Sequence, residues 1–90
     1  MTKHEIAQAL REIAFFLSLK EDNPYKAQAY ERAGMALLTS PLNLRDLLAT
    51  QSLTQVSGIG PATARVITEL VTTGQSPVLE QARGSYQRRS

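Results

Sequence analysis

The stretch Val56-Ser57-Gly58-Ile59-Gly60-Pro61-Ala62-Thr63-Ala64-Arg65-Val66-Ile67 leaves the chain few conformational choices. Two glycines flank one apolar residue, and a proline then opens an apolar run at helical spacing. Glycine tolerates positive φ and lets another backbone come close. Proline at the first helical position gives up only an N–H that the helix could not use, and its φ is already set. A tight turn followed by a helix is therefore expected here. The N–H groups of Gly60, Ala62 and Thr63 should point out of that helix N-terminus, where the dipole favours an anion.

The rest of the chain falls into helices around this turn. From Lys3 to about Lys20, Ile6, Leu10, Ile13 and Leu17 form one stripe, widened by Ala9, Ala14 and Phe16, with Phe15 off it. Thr2 and Glu5 fit a capping box at its start. Asn23 as N-cap and Pro24 at the first helical position open a second helix, Tyr25 to about Leu38. Its stripe is Tyr30, Ala33 and Leu37, with Ala29 and Ala36 thinning the face. Gly34 inside it implies that another element crosses there. Asn43 caps a third helix, about Leu44 to Thr50, with Leu44, Leu47 and Leu48 inward.

Leu53 to Val56 is one short turn, the first arm of a hairpin. The second arm, Pro61 to Thr73, should bury Ala64, Ile67, Leu70 and Val71 and stop at Gly74, a left-handed cap. Ser76-Pro77 starts a last short helix, Val78 to about Arg83. From Gly84 on, with Tyr86, Arg88 and Arg89, the sequence reads as a mobile basic tail. No stretch alternates with period two, so the fold class is all-α. The expected architecture is a compact bundle of four main helices plus a short C-terminal helix. It forms one domain over residues 1–84, with residues 85–90 as the tail.

Composition removes several kinds of chemistry. The 90 residues contain no cysteine, so disulfides and thiolate metal sites are excluded, and one histidine, His4, builds no metal cluster. No apolar run is long enough to span a membrane, and nothing at the N-terminus resembles a signal-peptide core. A soluble, cytoplasmic protein, nucleoid-associated in a bacterium, is the expectation. The net charge of +2 is unevenly spread. Three basic residues face four acidic ones up to Asp22, whereas seven face four after it, so the basic excess lies with the hairpin.

The turn and its flanking helices look like a helix-hairpin-helix motif, a device that grips nucleic-acid phosphate with backbone amides. Further segments narrow this. Asn23-Pro24-Tyr25-Lys26-Ala27-Gln28-Ala29-Tyr30-Glu31-Arg32-Ala33, Leu53-Thr54-Gln55-Val56-Ser57-Gly58-Ile59-Gly60 and Glu69-Leu70-Val71-Thr72-Thr73-Gly74-Gln75 resemble the N-terminal eight-kilodalton domain of family X DNA polymerases. That family includes DNA polymerases beta and lambda and bacterial enzymes, and the resemblance covers about residues 5–83. In the family the domain binds the 5′-phosphate side of a DNA gap. Some members also excise a 5′-deoxyribose phosphate through a lysine Schiff base.

The resemblance puts Lys26 where the family has a phosphate-contacting lysine and Tyr25 where the beta enzyme has a histidine. It puts Val66 at the Schiff-base lysine, Ala62 at a second DNA-binding lysine, and Arg65 at an acidic neighbour. Valine cannot form an imine, so the lyase machinery is missing. The family's hairpins also hold a monovalent cation, Na+ or K+, which would lie on the backbone carbonyls of Thr54, Val56 and Ile59. The eight acidic residues are scattered, not clustered as metal-ion phosphoryl transfer requires. Polymerase chemistry is therefore not expected from these residues.

The reading is a non-catalytic, non-sequence-specific DNA-binding module, alongside a separate repair or replication protein and needing no other cofactor. Its contact residues would be Gly58, Ile59, Gly60, Ala62, Thr63, Arg65, Tyr25 and Lys26. For Arg65 an i,i+4 salt bridge with Glu69 is the competing role. Two other readings stay open: a protein-interaction domain presenting Phe15, Phe16 and the leucines of the third helix, and a residual lyase using Lys26.

Overall fold

Reciprocal bonds start the first helix as the sequence implies. The Glu5 N–H donates to Thr2 Oγ1 at 3.2 Å, and the Thr2 N–H donates to Glu5 Oε1 at 3.0 Å. The Thr2 backbone first, and its side chain second, hold the Glu5 carboxyl below its ordinary pKa. A computed structural model describes residues 2–20, 24–41 and 43–87. Five α-helices follow in order: α1 Lys3–Lys20, α2 Pro24–Thr39, α3 Leu44–Ala49, α4 Pro61–Thr73 and α5 Pro77–Gln87. A 3-10 turn, Leu53–Gln55, lies between α3 and α4, and no strand occurs among the described residues. The all-α expectation holds.

Helices α1 and α2 form the main pair. Lys3 Nζ donates to the Ser40 carbonyl at 2.8 Å, so the start of α1 meets the end of α2 and the two run antiparallel. Gly34 marks their close crossing. A Cβ there would lie 3.3 Å from the Ala7 carbonyl oxygen and 3.4 Å from Arg11 Cγ, so the expected crossing element is α1. The core joins Ile6, Leu10 and Ile13 of α1 to Tyr30, Ala33 and Leu37 of α2. Leu44, Leu47, Leu53, Ile59, Ile67, Leu70 and Leu79 close over it. Asn43, the expected cap of α3, accepts the Asp46 N–H at 2.8 Å. Asn23, the expected cap of α2, lies outside the described residues.

Several packing details differ from the sequence pattern. On α2 it is Ala27 that is buried, while Ala29 faces solvent. The buried stripe of α4 is Thr63, Val66, Ile67 and Leu70, with Ala64 and Val71 only half-buried. Thr63 can be buried in this stripe because its hydroxyl is satisfied by the Gly60 N–H and carbonyl. Helix α5 does not stop at Arg83 but continues through Gly84 to Gln87. Its first turn is fixed by buried Ser76, whose Oγ accepts the Leu79 N–H at 3.4 Å. Its middle is tied to α1 by Arg83 Nε donating to Glu12 Oε2 at 2.6 Å. Helical order therefore extends past Gly84, where the tail was expected to begin. Arg88 and Arg89 lie outside the described residues.

Candidate functional site

The hairpin is a chain of short backbone bonds ending at a helix N-terminus. The Val56 N–H donates to the Leu53 carbonyl at 3.1 Å, and the Ile59 N–H to the Val56 carbonyl at 3.0 Å. Gly58 reverses the chain with φ +101, a conformation that an L side chain resists. Ile59 then drops into the core, 4% exposed, and pins the turn from below. Gly60 is extended (φ −95, ψ 179) and is the N-cap of α4, with Pro61 at the first helical position. Gly74 ends the helix as expected, with φ +75 and its N–H on the Leu70 carbonyl at 2.9 Å.

Thr63 changes the amide inventory. Its Oγ1 accepts the Gly60 N–H at 2.9 Å and donates to the Gly60 carbonyl at 3.0 Å. The Ala64 N–H also donates to that carbonyl at 2.9 Å. Gly60 was expected to offer a free N–H, and that donor is instead consumed inside the cap. The N–H groups of Ala62 and Thr63 have no hydrogen-bond partner among the described residues. They are the two amides left to face an anion at the positive end of α4.

Side chains sort onto two sides of the hairpin. Ile59, Thr63 and Val66 are buried, whereas Gly60, Ala62 and Arg65 are exposed. Arg65 makes no ion pair among the described residues, so the expected bridge to Glu69 is not formed. Glu69 acts on Tyr30 instead: burial first and the Glu69 carboxylate second raise the pKa of the Tyr30 hydroxyl. Gly58 sits on α2, where an added Cβ would lie 3.0 Å from Ala36 Cβ and 3.3 Å from Arg32 Cγ. Tyr25, 82% exposed, lies seven residues before Arg32 on nearly the same face of α2, about 10 Å along the axis. Lys26 is exposed one position further round. The contact between Arg32 and the turn was missed in the sequence because it joins residues far apart in the chain. The i,i+7 spacing of Tyr25 and Arg32 is the one local signal of it.

Other candidate chemistry finds no support here. Among the described residues no group of three or more His, Asp and Glu side chains could hold a metal ion, and no helix is long and apolar enough to cross a membrane. Two surface grooves, one between α1 and α2 and one between α1, α4 and α5, are lined by no residue of the turn from Val56 to Thr63. Leu44 and Leu47 are buried, so the third helix does not offer them as a contact surface. Phe15 is exposed and meets Phe16 edge-on with ring centres 5.6 Å apart.

Comparison with known proteins agrees with this geometry. A family model described as a helix-hairpin-helix domain matches residues 1–76. The chain belongs to the helix-hairpin-helix domain family. This domain is also 39% identical over 80 residues to the N-terminal region of the DNA polymerase/3'-5' exonuclease PolX of Bacillus subtilis (strain 168). The alignment covers 89% of the domain and 14% of that protein, so the chain spans about a seventh of the relative's length. No solved structure matches. The resemblance to the N-terminal domain of family X DNA polymerases is borne out.

Proposed function

We propose that this helix-hairpin-helix domain binds DNA through its backbone phosphates, without reading base sequence and without catalysis of its own. The observation that carries the reading is the start of α4. There the N–H groups of Ala62 and Thr63, without a hydrogen-bond partner among the described residues, sit beside Gly60, at which an added Cβ would have nothing within 4 Å. A phosphate can approach that open side, where the helix dipole favours it. Amide-to-phosphate bonds position a ligand but carry no sequence information. Exposed Arg65 and Lys26 would add cationic contacts, and exposed Tyr25 would stack on a terminal sugar or base. Ile59 contributes through its backbone only, since its side chain is buried.

Catalysis is disfavoured by the same residues. Val66 is both unable to form an imine and buried, and Lys26 stands in solvent, outside the apolar pocket that activates a lysine as a nucleophile. The similarity to PolX supports a place beside nucleotidyl-transfer or nuclease chemistry, in repair or replication, carried out by residues other than these ninety. A monovalent cation, Na+ or K+, on the carbonyls of Thr54, Val56 and Ile59 is part of this proposal. The donor set suits one. Three hard carbonyl oxygens are available, and Val56 keeps a second lone pair beside the one bonded to the Ile59 N–H.

Fluorescence anisotropy with intact, nicked and 5′-phosphorylated gapped DNA tests the reading. The parent protein should bind with a log–log salt slope of about −2 to −3, as expected for two or three phosphates. Gly60→Val should weaken binding while leaving the helical content unchanged, and Lys26→Ala should weaken it less. Absence of binding to every DNA at low salt would sink the proposal.

A further inference from the structure

We propose that Arg32 is a phosphate-binding residue of the hairpin, supplying from α2 the cation that Ala62 does not supply from α4. The inference rests on the DNA-binding reading above and adds a residue to it. Arg32 is built into the turn: Gly58 has no side chain, and the space where one would stand is bounded by Arg32 Cγ at 3.3 Å and the Arg32 carbonyl oxygen at 3.5 Å. The aliphatic stem thus lies along the hairpin, which fixes where the head group begins. Nε is two bonds beyond Cγ, so the guanidinium emerges next to the turn.

The head group is available. Arg32 is exposed, and its guanidinium makes no hydrogen bond or ion pair among the described residues. Glu69, the acidic residue of α4, forms no ion pair with Arg32 among the described residues. Arginine suits this place. Its planar fork binds phosphate oxygens in pairs, and it is weakly hydrated, so it gives up water readily. A track follows from helical spacing. Tyr25, Ala29 and Arg32 share one exposed face of α2, and the small Ala29 leaves the space between the other two open. A backbone held at the hairpin would run past Arg32 toward Tyr25.

The alternative role for Arg32 is mechanical, its stem merely propping Gly58. Arg32→Met separates the two, because it keeps an unbranched stem and removes the charge, while Arg32→Lys keeps both. Anisotropy titrations across a salt series on 5′-phosphorylated gapped DNA supply the readout. Arg32→Met should bind about five- to tenfold more weakly near 0.1 M salt, with the slope smaller in magnitude by about 1. Arg32→Lys should restore the slope. Should Arg32→Met fail to fold, Arg32→Gln takes its place. A charge-free variant with the parent's slope, or a lysine variant no better than methionine, overturns the inference. If the parent binds and Gly60→Val weakens it while Arg32→Met does not, this inference alone falls. If the parent does not bind, the DNA reading falls and takes the inference with it.

Discussion

At Gly58 the backbone has φ +101, and an added Cβ would meet Ala36 Cβ at 3.0 Å; at Gly60 φ is −95 and the same construction meets nothing within 4 Å. The two glycines are two residues apart in one turn, yet the reasons for them are unrelated. Gly58 belongs to the inner side of the hairpin, with Ile59, Thr63 and Val66, where the chain must fit against α2 and the core. Gly60 belongs to the outer side, with Ala62 and Arg65, where nothing in the fold demands a small residue. Its smallness leaves that side of the turn open to solvent. A glycine motif read as one functional unit is therefore two devices, a structural seat and an open approach.

The sharpest break of this division comes from Val66. Lysine there restores the residue type found in the lyase members of the related family, but it would place an ammonium at a position 2% exposed. Val66→Lys should lower stability by about 3–5 kcal/mol in urea unfolding, because a charge without a partner would be buried. A fall below about 1 kcal/mol would mean that this face of α4 is open after all. Next in size is Gly58→Ala, which combines positive φ with the contact on Ala36. It should cost about 2–3 kcal/mol by the same assay, while Gly60→Ala stays within about 1 kcal/mol. Equal losses at the two glycines would erase the distinction.

Thr63→Val tests the cap that joins the two sides. Valine keeps the buried shape and removes both hydrogen bonds to Gly60. Stability should fall by about 1 kcal/mol, and the Gly60 amide should exchange faster in NMR. The smallest effect concerns Tyr30. Burial and Glu69 raise its pKa above the ordinary 10.0, so the folded state holds its proton more tightly than the unfolded state does. Its stabilising contribution is full below the unfolded value and is lost as pH rises through the higher folded value. Tyr30→Phe should flatten the loss of stability above about pH 10, as measured by denaturation at a series of alkaline pH values.

What could be read from the sequence followed from residues with few alternatives. Thr2 with Glu5, Asn43, Pro61 and Gly74 each satisfy a local backbone need, and each does so in the structure. The hairpin and its helix were legible for that reason. Features that depend on distant partners were not. One miss is local: Thr63 Oγ1, three residues on, takes the Gly60 N–H from the anion site, and apolar periodicity does not report a threonine buried with such a bond. The extension of α5 through Gly84 depends on Ser76 and on Glu12 of α1, the latter 71 residues from Arg83. Arg32 reached the hairpin only through the fold.

The crossing at Gly34 has a consequence for motion. Residues 32 and 36 face the hairpin, while residue 34, half a helical circumference away, lies against the Ala7 carbonyl of α1. One turn of α2 is thereby closely approached on both sides, which resists sliding or rolling of the helix. Amides of this turn should be among the slowest of α2 to exchange with solvent, which hydrogen-exchange NMR would check. A ligand gripping the turn would in return raise the melting temperature of the entire chain.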